Sequence, residues 1–241
     1  ENRVQEALPM LKRAYELAPT HPALLNQWAN HYFYRKQYDK AKSLAQQAFR
    51  NASSAAIRAE ACYHMARAFH AQSDLKSALQ WYGQASKEDA ELAPAQYGLG
   101  QMHIVNGSYD KAVGCFEKLL AANGDNVDAL RAAGTLYAQM DRRSLALERL
   151  SRAVELAPND VGAWLELAKL NERTPGALPT ALKAYETAVG LLRRARAPVP
   201  VELWNNLGAL RQRLGKLESA EAAYTQALKV AGAGADGAGG G

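Results

Sequence analysis

The chain has 241 residues, 48% of them hydrophobic, with 29 Lys and Arg against 24 Asp and Glu, for a net charge of +5. Two cysteines cannot build a disulfide framework, and no run of about 18 apolar residues offers a membrane span. No charged-then-apolar signal segment opens the chain. Residues 1–21 read as a single helix, Glu1 to Leu17, and therefore as the second half of a hairpin begun elsewhere; the chain reads as an excerpt of a longer protein. The first complete unit, 22–55, carries Leu25, Trp28, Ala29 and Tyr32, then Ala41, Ala45 and Ala48, at helical spacing. Asn51 to Arg58 reads as a long polar connection. Unit 59–92 has Cys62, Met65, Ala66 and Phe69, then Ala78, Tyr82 and Ala85; unit 93–126 has Leu99, Gly100 and His103, an Asn106-Gly107 turn, then Ala112, Phe116 and Leu119. Unit 127–160 is the clearest. Leu130, Ala133, Gly134 and Tyr137 share one helix face, Asp141 to Ser144 break it, and Leu145, Ala146, Leu150, Ala153, Val154 and Leu156 form the second before Pro158. Unit 161–195 has Trp164, Leu167, Ala168, Tyr185 and Ala188, with a turn stretched around Pro175-Gly176 and Pro179. A basic linker, Arg193 to Pro200, leads to unit 201–231 with Trp204, Leu207, Gly208, Ala220, Tyr224 and Ala227. Residues 232–241 hold six of the 18 Gly and read as a flexible tail.

A small residue opens each second helix: Ala7, Ala41, Ala78, Ala112, Ala146, Ala181 and Ala220, at steps of 34, 37, 34, 34, 35 and 39. A second ruler agrees. Glu-Leu-Ala-Pro ends at Pro19 and again at Pro158, four periods of 34 plus the same three residues. Large, small and Pro signals at this period form the 34-residue tetratricopeptide repeat (TPR) pattern. The expected fold is all-α: a right-handed TPR solenoid of six full hairpins plus a leading helix, stable because each repeat buries its apolar face on the next.

Candidate catalytic and metal sites do not emerge. His64 and His70 are six apart and there is no H-E-x-x-H. Cys62 and Cys115 are 53 apart and read as small buried hydrophobes. Gly98-Leu99-Gly100 lacks the third Gly and the strand of a phosphate loop. The sequons at Asn51 and Asn106 read as chance matches. No cofactor and no metal are expected. What remains is surface. In a TPR array the first helices line the groove, and their outward positions here are Asn30, Tyr34, Tyr63, Arg67, His70, Tyr97, Gln101, Arg131 and Lys169. Tyr97 and Arg67 are expected to point away from the helix seams, Arg67 adding a planar donor set able to grip a carboxylate or a backbone carbonyl; the other reading of Tyr34, Tyr63 and Tyr97 is that they pad the seam between repeats. Arg193, Arg194, Arg196, Arg211, Arg213 and Lys216 face one acid, Glu202, within 24 residues. That cluster could meet nucleic acid, but no aromatics interleave it; the preferred reading is a solvated linker and helix face without sequence-specific binding.

Segments between the repeat landmarks carry a more specific likeness. These are Ala29-Asn30-His31-Tyr32-Phe33-Tyr34 with its following basic pair, Ala59 to Tyr63 running to Phe69-His70, Gly98 to Met102, Gly114 to Lys118, and Asn205 to Leu210 with Arg213-Leu214-Gly215. Together, over residues 5 to 230, they resemble the central TPR region of the large scaffold subunit of the RNA polymerase II-associated factor (PAF) complex. The resemblance implies a nuclear, non-catalytic protein that holds other PAF subunits and, directly or through them, RNA polymerase II. It implies service in transcription elongation and histone modification, notably H2B ubiquitination and H3 methylation. Two other readings stay open: the substrate-recruiting TPR arm of a larger enzyme such as a protein glycosyltransferase, and a chaperone adaptor. Against the last, Asn205 and Asn206 are present but the paired Lys that grip a C-terminal carboxylate are not.

Overall fold

The computed structural model describes the backbone of residues 2–237 and the side chains of 8–232. Among the described residues there are thirteen helices and no strand: α1 (Asn2–Leu17), α2 (Pro22–Tyr34), α3 (Tyr38–Asn51), α4 (Ala55–Ala71), α5 (Leu75–Glu88), α6 (Ala93–Val105), α7 (Tyr109–Ala122), α8 (Val127–Gln139), α9 (Arg143–Leu156), α10 (Val161–Glu172), α11 (Leu178–Arg194), α12 (Val201–Arg213) and α13 (Leu217–Gly237). They pair as six hairpins, α2–α3 to α12–α13, after the leading α1. The fold is an all-α TPR solenoid.

The hairpins are set by two local devices. Each inter-helix turn contains one residue in the left-handed region: Lys36, Ser73, Gly107, Asp141, Gly176 and Gly215, all with φ between +55° and +77°. Several starts are capped by a short acceptor. Asp74 accepts from Ser77 N, Asn126 from Ala129 N and Asp160 from Ala163 N. The small residues then decide how closely the helices lie. Ala41, Ala78, Ala112, Ala146, Ala181 and Ala220 are all buried. A second rule joins the two helices of a hairpin. The small residue on the first helix meets a large one sixteen positions later: a Cβ on Gly100 would stand 2.8 Å from the Phe116 ring, on Gly134 2.7 Å from Leu150, and on Gly208 2.7 Å from the Tyr224 ring.

The chain divides into two compact units, Glu1–Gly124 and Asp125–Gly241. In the first, Ala29, Ala45, Cys62, Met65, Ala85 and Ala95 form one core cluster, sealed by Phe49, Phe69 and Trp81. In the second, Ala168, Tyr185, Ala188, Trp204, Leu207 and Ala227 belong to a larger one.

Three expected boundaries move. The Asn51 to Arg58 connection shrinks to Ala52–Ser54, because Ala55-Ala56-Ile57-Arg58 are helix formers that give α4 an extra turn; the three-residue excess of the 37-residue step is stored there. The basic linker begins at Ala195, since Arg193 and Arg194 close α11. The tail from Gly232 is helical as far as Gly237, where Ala alternates with Gly, and 238–241 lie outside the described residues.

Candidate functional site

In the first unit the outward residues of α2, α4 and α6 come close, but most are spent on one another. Arg67, on α4, reaches back to α2. Its Nη2 donates to Asn30 Oδ1, and its guanidinium carbon lies 3.9 Å from the Phe33 ring centroid and 5.4 Å from those of Tyr34 and Tyr63. Stacking and hydrogen bonding together make it a clamp between successive first helices. Tyr63 tilts over Tyr82 at 6.3 Å, and His70 sets its edge to the same ring. Tyr97 stands edge-on to Phe116, with centroids 5.5 Å apart. The expectation that Arg67 and Tyr97 avoid the seams is therefore corrected, and Tyr63 and Tyr97 fit the seam-padding reading instead: α4 and α6 lie near enough to α5 and α7 that large rings at those positions close the joints. Tyr34 stays 74% exposed and Gln101 half-buried. Tyr34 and Asn30 also border a groove of about 700 Å3 with Leu8, Leu11, Ala14 and Leu24.

In the second unit Arg131 is held by Asp128 at 3.5 Å and Asp160 at 3.6 Å. It crosses Gly162 so closely that a Cβ there would stand 2.7 Å from Nη1. Asp160, the α10 cap, thus also positions an arginine. Lys169 is exposed, paired with Glu166 at 2.8 Å, on a polar concavity of about 300 Å3 shared with Thr135, Gln139, Arg143 and Arg173. The basic cluster is partly neutralised. Arg211 bonds Glu186 at 2.9 Å and the Ser219 carbonyl; Arg213 bonds Glu172 at 2.9 Å; Arg193 lies over the Trp204 ring. Those acids come from α10 and α11, so the cluster that looked single-signed in sequence is mixed in space. Arg194, Arg196 and Lys216 are exposed, with no acid at ion-pair distance among the described residues.

The reactive groups are turned inward. Cys62 and Cys115 are buried free thiols, and burial pushes Cys62 up to about 12 and Cys115 upward, away from the thiolate that reacts. Burial holds His64 below its ordinary range, with Glu60 Oε1 3.6 Å from its Nε2. Among the described residues no three His, Cys, Asp or Glu side chains gather to hold a metal, and no helix is long and apolar enough to cross a membrane.

One concavity escaped the sequence reading. Trp28 and Tyr32, which share the repeat spacing of Leu25 and Ala29, are only partly buried and, with Lys12, Tyr15, Lys40, Ser43 and Leu44, line a groove between α1, α2 and α3. The available signal was the Trp28–Tyr32 spacing of four on one helix face, followed by a Lys eight residues on.

The tetratricopeptide repeat family profile matches residues 69–134, 127–170 and 201–233. The chain is 32% identical over 236 residues to the RNA polymerase-associated protein CTR9 of Caenorhabditis elegans and 30% identical over 230 residues to the CTR9 homolog of Arabidopsis thaliana, each match covering 93% of the chain. It spans about a fifth of the length of these relatives, 20% and 21%. It is also 25% identical over 191 residues to the human protein O-mannosyl-transferase TMTC1, covering 78% of the chain and 21% of that protein. Among solved structures, Pseudomonas aeruginosa pilF superposes with a TM-score of 0.70 at 18% identity, over 86% of this chain and 90% of that one. YrrB, described as a TPR protein with an unusual peptide-binding site, superposes at 0.59 with 26% identity, over 70% and 84%. Repeat period, hairpin geometry and these likenesses agree: the chain belongs to the tetratricopeptide-repeat superfamily.

Proposed function

We propose that the chain is a non-catalytic interaction scaffold of the PAF type, acting in the nucleus to hold other PAF subunits for RNA polymerase II elongation and histone modification. The observation that carries this reading is the 30–32% identity to the two CTR9 proteins across 93% of the chain. The surface suits it. Exposed Tyr34 beside an apolar groove in the first unit, and Lys169 beside a polar one in the second, give a preformed scaffold two unlike places to hold extended segments or helices. The inward thiols supply no activated nucleophile. Affinity capture from nuclear extract with the tagged chain tests the proposal. PAF subunits and the polymerase should be retained, and Tyr34→Ala should lower their recovery at unchanged thermal stability. Retention of neither class sinks it.

A second reading rests on the TMTC1 likeness over 78% of the chain: a substrate-presenting arm of a glycosyltransferase. Glycosyl transfer by the intact parent protein, with no PAF subunit in the eluate, would favour it. Recovery of chaperone tails alone would make the chain an adaptor instead.

A further inference from the structure

We propose that the groove between α1, α2 and α3 is a docking site for a short acidic protein segment carrying one large apolar side chain. The site goes beyond the scaffold reading, because it lies on a face bordered by two second helices rather than on the outward face of the first helices.

The walls are built before any partner arrives. Trp28 sits in a ring cluster: Tyr15 meets it edge-on at 6.0 Å and His31 at 5.4 Å, while Tyr32 lies tilted at 5.8 Å. Leu44 adds an aliphatic wall, and the open groove offers about 390 Å3, within the roughly 300–1,000 Å3 typical of small-ligand pockets. Mutual support among rings lowers the entropy lost on binding. The rim is cationic. Lys12 and Lys40 border the groove, no acid among the described residues does, and Lys40 Nζ lies 5.4 Å from the Tyr32 ring centroid. The nearest acid in sequence to Lys40, Asp39, is engaged elsewhere, by Lys42 at 2.9 Å and by Gln72. Both rim lysines are exposed. An apolar floor rimmed by two exposed lysines, one of them resting over the Tyr32 ring, selects a ligand that is apolar at its centre and anionic at its flanks. Nucleic acid fits less well. The rings pack edge-on against one another rather than offering an open stacking platform, and two cations are few for a phosphate backbone.

The probe is a fluorescein-labelled peptide of Asp, Glu and Ser with a single central Phe, titrated with the full chain and read by fluorescence anisotropy. Saturable binding is expected, weakening as salt rises. The double variant Lys12→Glu, Lys40→Glu should weaken it roughly tenfold or more with an unchanged unfolding midpoint, since both residues are on the surface. Replacing the probe's Phe by Ser should weaken it comparably, and Tyr32→Leu serves as a milder change to the floor. Absence of saturable binding, or binding indifferent to the double reversal, overturns the proposal. So does equal or tighter binding of a single-stranded oligouridylate at the same lysines, or a concentration-dependent dimer dissolved by Lys40→Glu, which would make a second copy the occupant. Failure here with PAF subunits still captured removes this site alone and leaves the scaffold reading standing.

Discussion

Arg67 shows what a single residue position does and does not reveal. Its place on the outward face of α4 follows from helical periodicity, but its partners do not, because Asn30 is 37 residues away and Phe33 sits on another helix. Which side chains meet across two helices depends on their lateral register, and one-dimensional spacing does not encode that. Arg67→Ala should therefore lower stability by about 1–2 kcal/mol, through a lost charged hydrogen bond and ring contact, and weaken partner capture as a consequence. Tyr34→Ala, truncating a side chain 74% exposed, should leave the thermal midpoint within a degree or two while weakening capture. If Arg67→Ala melts as the wild type does, the clamp is not structural. His64 allows a pH test. Burial disfavours its charged form in the folded chain, and nearby Arg67 acts in the same direction, partly opposed by Glu60. As pH falls through the ordinary histidine range, about 6.5, the unfolded chain takes the proton first, so stability is lost on acidification. One proton sets an upper slope of about 1.4 kcal/mol per pH unit. Below the ordinary carboxylate range Glu60, held low chiefly by His64, loses its contribution as well. His64→Gln should flatten the fall in unfolding midpoint between pH 7 and 5.5; an unchanged slope would show that another group carries it.

At the scale of helices the sequence was far more legible. Every small residue expected to open a second helix from Ala41 onward is buried, because close approach leaves no volume for a larger side chain and so imposes itself on composition. Less legible was where extra residues go. The 37-residue step gave the excess but not whether it lengthened a loop or a helix, and the helix-forming run from Ala55 to Arg58 decided for α4. The glycines separate packing from propensity. Gly134 lies in α8 with Leu150 Cγ 2.7 Å and Arg149 Cβ 3.3 Å from where its Cβ would be. Gly134→Ala should cost about 1–3 kcal/mol by overpacking, and Gly134→Leu more. Gly114, exposed in α7, has nothing within 4 Å of that position. Gly114→Ala should stabilise by about 0.5–1 kcal/mol through helix propensity alone. Denaturant midpoints of the two alanine variants should thus move in opposite directions. Leu150→Ala in the Gly134→Ala background should cost less than in wild type, the coupling expected of two positions in contact.

For the molecule as a whole, a charge of +5 invites the thought of nucleic acid, and the distribution of charge argues for a modest role. Of the six cations between Arg193 and Lys216, Arg211 and Arg213 are bonded to Glu186 and Glu172, and Arg193 lies over Trp204. That leaves Arg194, Arg196 and Lys216 for phosphates. Each phosphate contact contributes a little under one unit to the slope of log affinity against log salt, so three contacts predict about a fortyfold loss between 50 and 200 mM salt. A dedicated nucleic-acid protein with six to ten contacts loses roughly a thousandfold or more. Binding of random duplex DNA should accordingly be weak and indifferent to sequence. Reversing Arg194 and Arg196 together should flatten the slope by about two units. Arg213→Ala should leave the slope unchanged and lower stability instead, because Glu172 then loses its cation while still accepting from the Tyr185 hydroxyl. A steep slope in wild type, or a selective shift with one DNA sequence, would mean that the acids of α10 and α11 do not hold these arginines in solution. The basic segment would then act as a nucleic-acid contact within the scaffold rather than as its solvated edge.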